Sequence, residues 1–148
     1  MKPRISILLA ALWWGSLSTL GFLVVPLLFV HLPSPAAAGA MAAKLFTAQT
    51  WLSVACAMLL LLALNKKEAP ALSPTAQAAI KYVVAGFFLA VLVEFGVGPK
   101  IVNARASGGD LRFWHGLGSV MYLAQWLSAG WTVWCLSRAS EADVSPAA

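Results

Sequence analysis

Charge is what this sequence has least of. Only 10% of its 148 residues are Asp, Glu, Lys or Arg, while 61% are hydrophobic; a soluble domain carries roughly a quarter charged residues. That deficit excludes a water-soluble fold. Acids are the scarcest, five against ten Lys and Arg, for a net charge of +5. The cations fall between apolar runs instead of clustering on one element, so they read as interfacial anchors and topology signals, not as a nucleic-acid surface. Cysteine occurs twice. Cys56 falls in mid-bilayer and Cys135 at the inner end of its helix, a separation that argues against a disulfide and leaves both as small apolar fillers. The four methionines, Met1, Met41, Met58 and Met121, show no repeated ligand spacing, so no metal site is expected. Gly-rich phosphate loops, Cys-x-x-Cys and His-Glu-x-x-His are all missing, and with them the motifs of soluble enzymes. The chain is read as a non-enzyme with no catalytic residues.

What the sequence does have is long uncharged runs. A hydrocarbon core about 30 Å thick needs roughly 20 apolar residues per crossing. Ile5 to Val30, Leu45 to Leu64 and Gly116 to Ser137 carry no charge, and Tyr82 to Gly98 carries only Glu94. The expectation is an all-α integral membrane protein, a four-transmembrane-helix bundle in one domain over residues 1–138, with spans at about 5–30, 45–64, 78–98 and 115–137. Residues 139–148 are expected to form a short disordered tail, because "SEADVSPAA" has nothing apolar to bury. The start resembles a signal peptide, but its apolar run is longer than the about 7 to 15 residues of such a segment, which favours a retained first helix. Lys2, Arg4, Lys66, Lys67, Lys81 and Arg138 outnumber Lys44, Lys100, Arg105 and Arg112 at the other end, so both termini are expected to be cytoplasmic in a cell membrane, the plasma or bacterial inner membrane.

Several helix ends are legible. Ser34 before Pro35 and Ser73 before Pro74 fit an N-cap with proline at the first helical position. Asp110 fits a cap for the fourth helix, and Gly108 and Gly109 fit a left-handed end to the third. Pro26 and Pro99 lie inside helical patterns and predict two kinks at similar depth on the outer side, the first freeing the carbonyl of Phe22. Each hairpin has a proline near its outer turn and an Ala-Gln in its second helix, Ala48-Gln49 and Ala124-Gln125, the outline of a parallel repeat.

In lipid, small residues mark helix contact faces. Gly86, Ala90, Glu94 and Gly98 make one stripe, and His115, Ser119, Tyr122 and Trp126 another. At 1.5 Å per residue, Gln49, Glu94 and Ser119 all lie roughly 6 Å below the outer interface. His31, Lys44, Lys100, Arg105 and Arg112 crown them. A carboxylate at that depth must be paired, protonated or wet. Lys100, Arg105 and His115 are its candidate partners. One reading makes Glu94, His115, Ser119, Gln49, Lys44, Lys100 and Arg105 an outward-facing polar pocket for a cation, a proton or a small amphipathic ligand. The other makes Glu94 an interhelical ion pair that fixes packing, with Arg112 and Trp114 as interface anchors.

The stretches "GAMAAKLFTAQTW" (39–51), "GPKIVNAR" (98–105) and "RFWHGLGSVMYL" (112–123) resemble the transmembrane-protein-205-like proteins, also catalogued as domain of unknown function 4149. The recurring features of that family fall here on Lys44, Leu45 and Phe46, on Pro99 and Lys100, and on His115, Gly116, Leu117 and Ser119. The resemblance implies a four-helix membrane protein with no settled activity. It does not cover His31, and the short "ASGGD" loop departs from longer members.

The first functional expectation is therefore small-solute handling or transport, or service as a membrane-complex subunit, with the lipid bilayer and a second copy or another membrane protein as partners and no nucleic acid. A four-span chain is small for alternating access, which favours a homodimer. The second is a b-type haem protein using His31 and His115, two histidines being the minimum that such a ligand set needs. The third is a purely structural scaffold.

Overall fold

The computed structural model describes residues 3–64 and 74–142. Among them there is no strand, and the helices form four long rods. The first rod runs through α1 (Pro3–Thr19), a π-helical turn (Leu20–Val24) and α2 (Val25–His31). The second is α3 (Pro35–Leu64). The third repeats the plan of the first, with α4 (Pro74–Leu92), a π turn (Val93–Val97) and α5 (Gly98–Ser107). The fourth is α6 (Leu111–Ala142), so helix continues into the first four residues of the expected tail. Residues 143–148 of that tail, and Ser73 with its expected cap, lie outside the described residues.

Local chemistry explains the ends. Ser34 Oγ accepts from Ala37 N–H at 3.2 Å and starts α3. Asp110 Oδ1 accepts from Phe113 N–H at 2.9 Å and starts α6. Gly108, at φ 75°, closes α5 in the left-handed conformation that a side chain would resist. Short connections between successive rods make them antiparallel neighbours. Each rod packs on the ones before and after it, and the fourth closes the ring on the first.

The interior is mainly apolar, as in a soluble bundle, but it holds polar residues and the exterior is apolar too. Ser6, Gln49, Thr50, Ser53, Gln125 and Thr132 are buried, while large apolar side chains such as Leu8, Val30, Leu62 and Val120 are at least two-thirds exposed. An apolar exterior on every rod belongs to a protein solvated by lipid. Arg4–His31, Pro35–Leu64 and Pro74–Ser107 are each long and apolar enough to cross a membrane, by length and composition. The fourth rod, 32 residues long, has a lower mean hydropathy. Tyr122, Gln125 and four tryptophans take the places that leucine and valine hold in the others.

A π turn precedes each of the prolines at which a kink is expected. Val25 N–H bonds to Leu20 O and Gly98 N–H to Val93 O, one residue further back than in an α-helix. The next carbonyls in that series, those of Gly21 and Glu94, face Pro26 and Pro99, which have no hydrogen to give. The π register thus adds the Gly21 carbonyl to that of Phe22 as an acceptor that Pro26 cannot serve. The wide turn absorbs the ring that would clash in a straight α-helix.

The two hairpins match in register. Leu20 set on Val93 brings the π turns and both prolines into register, and the buried Ser6, Ala10, Trp13 and Leu17 then fall on Ala79, Val83, Gly86 and Ala90, all buried too. In the second and fourth rods, Trp51-Leu52-Ser53 sets on Trp126-Leu127-Ser128. Phe22 meets Trp126 edge-on at 5.4 Å, and the equivalent Phe95 meets Trp51 edge-on at 6.4 Å. Both hairpins point the same way, so the pseudo-twofold axis runs along the bundle. Trp13 crosses that axis to cover its own counterpart, Gly86. One half supplies the ring and the other the space.

Candidate functional site

Polar side chains inside the bundle concentrate around the first rod and at the two seams where the halves meet. Gln49 Nε2 donates to Ser16 Oγ at 2.9 Å and to Ser53 Oγ at 3.3 Å, and Ser16 Oγ donates to the carbonyl of Trp13. Gln49 is thus a buried staple between the first and second rods. At the seam of the first and fourth rods, Tyr122 Oη donates to Leu17 O at 2.8 Å, and its ring lies over Gly21, where a Cβ would come within 2.8 Å of Cε1. Trp126 Nε1 donates to Ser18 Oγ nearby, also at 2.8 Å.

The seam of the second and third rods carries the charge. Glu94, half-buried on the π turn, accepts at Oε1 from Thr47 Oγ1 at 2.8 Å. The pseudo-twofold makes this the counterpart of the Gly21 and Tyr122 contact, since Glu94 falls on Gly21 and Thr47 on Tyr122. Sequence reasoning missed Thr47. It lies two residues before Gln49, at nearly the same depth as Glu94, and depth was the one available signal.

The other candidates are not gathered around the carboxylate. Among the described residues, Glu94 makes no ion pair with Lys100, Arg105 or His115. Lys100 Nζ lies 5.9 Å from the centre of the Trp114 ring. The Arg105 guanidinium covers Gly39 near the start of α3, where a Cβ would stand 2.8 Å from Nη2. Ser119 Oγ donates to the His115 carbonyl of its own helix. Lys44, Arg105, His115 and Ser119 are exposed, as is His31 at the end of α2. These cations are engaged or exposed apart from the carboxylate, and Glu94 meets Thr47 in a seam of its own.

The model for the domain of unknown function 4149 matches residues 8–110, more than half of the chain. The chain belongs to that family. The match takes in the first three rods with both π turns, Thr47 and Glu94, whereas the His115 to Ser119 element behind the likeness to transmembrane-protein-205-like proteins lies beyond it. No curated protein and no solved structure matches the chain.

Chemically, the Glu94 seam combines three features. Its carboxyl has one oxygen engaged by Thr47 and a second free to hold a proton or meet a cation. Its backbone carbonyl is deprived of the donor that Pro99 lacks. Its helix is widened to a π turn, a form frequent at functional sites. An unpaired charge surrounded by hydrocarbon costs at least a few kcal/mol.

Proposed function

We propose that this protein is a four-span integral membrane protein, with both termini on the cytoplasmic side of a cell membrane, that handles a small cation or a proton at Glu94. α6 supplies the fourth crossing, its uncharged stretch from Gly116 to Ser137 being long enough at 1.5 Å per residue. The observation that carries the reading is the pair of proline-interrupted π turns at matching positions in two parallel halves. In membrane transporters built from repeats, interrupted helices at corresponding positions mark the substrate site, and they do so where the halves meet. Here one of the two turns bears a half-buried glutamate and the other a glycine. The asymmetry assigns the ion to the Glu94 side. The cations near the same end, Lys44, Lys100, Arg105 and Arg112, favour anions at that surface and slow the approach of cations. In this reading the protein is not an enzyme and needs no haem, and a second copy or another membrane chain covers the lipid-facing side of the seam.

The test is a proton flux in proteoliposomes carrying a trapped pH-sensitive dye and a potassium or sodium gradient. Wild-type protein dissipates the gradient faster than empty vesicles, Glu94→Gln returns to the empty-vesicle rate with unchanged melting in detergent, and Glu94→Asp keeps part of the flux. Equal rates for wild type and Glu94→Gln, together with a lower melting temperature for the variant, would identify Glu94 as a helix-pairing residue instead.

A further inference from the structure

Gln125 stands at the middle of the fourth rod, thirteen residues from Arg112 and thirteen from Arg138, about 20 Å from each by helical rise. It is 4% exposed, and its side chain makes no hydrogen bond among the described residues. Thr50, its counterpart under the pseudo-twofold, is 7% exposed and likewise without a partner among them. Other hydroxyls of the rods turn back on their own helix, since Ser18, Ser119, Ser128 and Thr132 each donate to the carbonyl four residues earlier. Thr50 does not take that bond.

Contacts of their neighbours show where the two side chains point. On α6, Tyr122 and Trp126 bond to the first rod, and Ser128 lies against the third, its Cβ 3.5 Å from where a Cβ of Gly86 would stand. At roughly 100° per residue, Gln125 falls between those directions and faces the axis. On α3, Gln49 bonds to the first rod and Thr47 to the third, and Thr50 falls between them in the same way. Gln125 and Thr50 therefore approach the axis from opposite rods. Leu17 and Ala90, both buried, complete that level from the other two, and Ala90 takes little room. Trp13, which reaches across the axis to Gly86 one turn further in, is the floor.

Lipid offers no partner to a bare amide at the midplane, and burial of such a group unbonded is strongly unfavourable. Among the described residues that are not exposed, Trp13 Nε1 is the one side-chain nitrogen or oxygen both sealed and unpartnered. The Gln125 amide and the Thr50 hydroxyl lack a partner without being sealed, so each borders space that a water molecule can enter. A buried water makes about three hydrogen bonds. The amide has donors and an acceptor to offer, and the hydroxyl has both. We propose that this space is a binding site for water, held on the axis between the Gln125 amide and the Thr50 hydroxyl at the middle of the bilayer. The lining is uncharged, which disfavours an ion at this depth. The interface of two repeated halves near the midplane is also where repeat-built membrane proteins keep their polar sites. The site lies one turn inward of Thr47 and stands whether or not Glu94 moves an ion.

The experiment is solid-state NMR of the full chain, isotopically labelled, in phospholipid bilayers, reading the magnetisation that passes from water protons to the side-chain amides of glutamine. The chain has three, Gln49, Gln77 and Gln125, each assigned through its own side-chain carbons. Gln49, buried and bonded to Ser16 and Ser53, is the dry reference, and Gln77, exposed near the start of α4, is the wet one. Gln125 is expected to gain magnetisation several-fold faster than Gln49. Thr50→Val removes the opposing hydroxyl and is expected to slow that gain several-fold while Gln49 keeps its rate. A Gln125 signal that grows no faster than that of Gln49 overturns the proposal. So does a fast one that Thr50→Val leaves unaltered, because the water is then not held between the two side chains. If Thr50→Val fails to fold, the comparison of Gln125 with Gln49 in the wild-type chain decides.

Discussion

Substitution of Gly86 by alanine probes the centre of the bundle most sharply. A Cβ at Gly86 would lie 2.5 Å from Trp13 Cη2 and 2.8 Å from Cζ2, against 3.4–4 Å for ordinary contact. The indole must therefore retreat by about 1 Å, and Trp13 is fully buried, so it has nowhere open to go. Overpacking of this kind costs about 1–3 kcal/mol. In lipid, where close packing rather than hydrophobic burial holds helices together, nothing offsets that cost. The assay is equilibrium unfolding in mild detergent by added dodecyl sulfate, followed by tryptophan fluorescence. Gly86→Ala is expected to lose about 1–3 kcal/mol. Trp13→Phe shortens the ring and also removes a buried N–H that has no partner, so it forfeits no hydrogen bond. The double variant is expected to recover much of the loss, with a coupling of about 1 kcal/mol or more, as residues in direct contact show. Neutral behaviour of Gly86→Ala, or strictly additive single effects, would refute the contact across the pseudo-twofold axis.

Other substitutions test the staples and the topology. Tyr122→Phe removes the bond to the Leu17 carbonyl, and about 0.6 kcal/mol, at most roughly 1.7, is expected to disappear in the same unfolding assay. Gln49→Leu strips the partners from Ser16 and Ser53 and is expected to cost a similar amount, more than Lys44→Ala, whose side chain is exposed. Single cysteines replacing Arg112 and Arg138, on a background with Cys56 and Cys135 changed to alanine, are expected to react with a membrane-impermeant thiol reagent from opposite faces of sealed vesicles. Labelling of both from one face would show that α6 does not cross.

How much of this was legible in the chain depends on how local each feature is. Ser34, Gly108 and Asp110 announce their caps because an N-cap or a left-handed glycine acts within three residues of itself. Pro26 and Pro99 announce a break in the helix, but its form does not follow from the proline. The residues before a proline do not say whether the turn there widens to the π register. The stripe of Gly86, Ala90, Glu94 and Gly98 assumes an unbroken α-helix, and the π turn rotates everything after Val93 off that face. That rotation is why Glu94 meets the second rod and not the cations or His115. The repeat was visible in its prolines, yet Ala48-Gln49 and Ala124-Gln125 set the second and fourth rods one residue out of register. Trp51 on Trp126 restores it, and aromatic residues common to every membrane interface gave no reason to single out that pair.

The central claim is that the Glu94 carboxyl, held by Thr47 at the seam of the two halves, exchanges a proton for a cation. Difference infrared spectroscopy on the protein in lipid, recorded as pH and sodium or potassium are varied, addresses that group directly. A proton-exchanging Glu94 gives a carboxyl C=O band that fades as either rises, shifts in Thr47→Val and is missing in Glu94→Gln. A band that Glu94→Gln removes but that stays constant at every pH and salt concentration would mean a fixed, protonated packing residue and would contradict it.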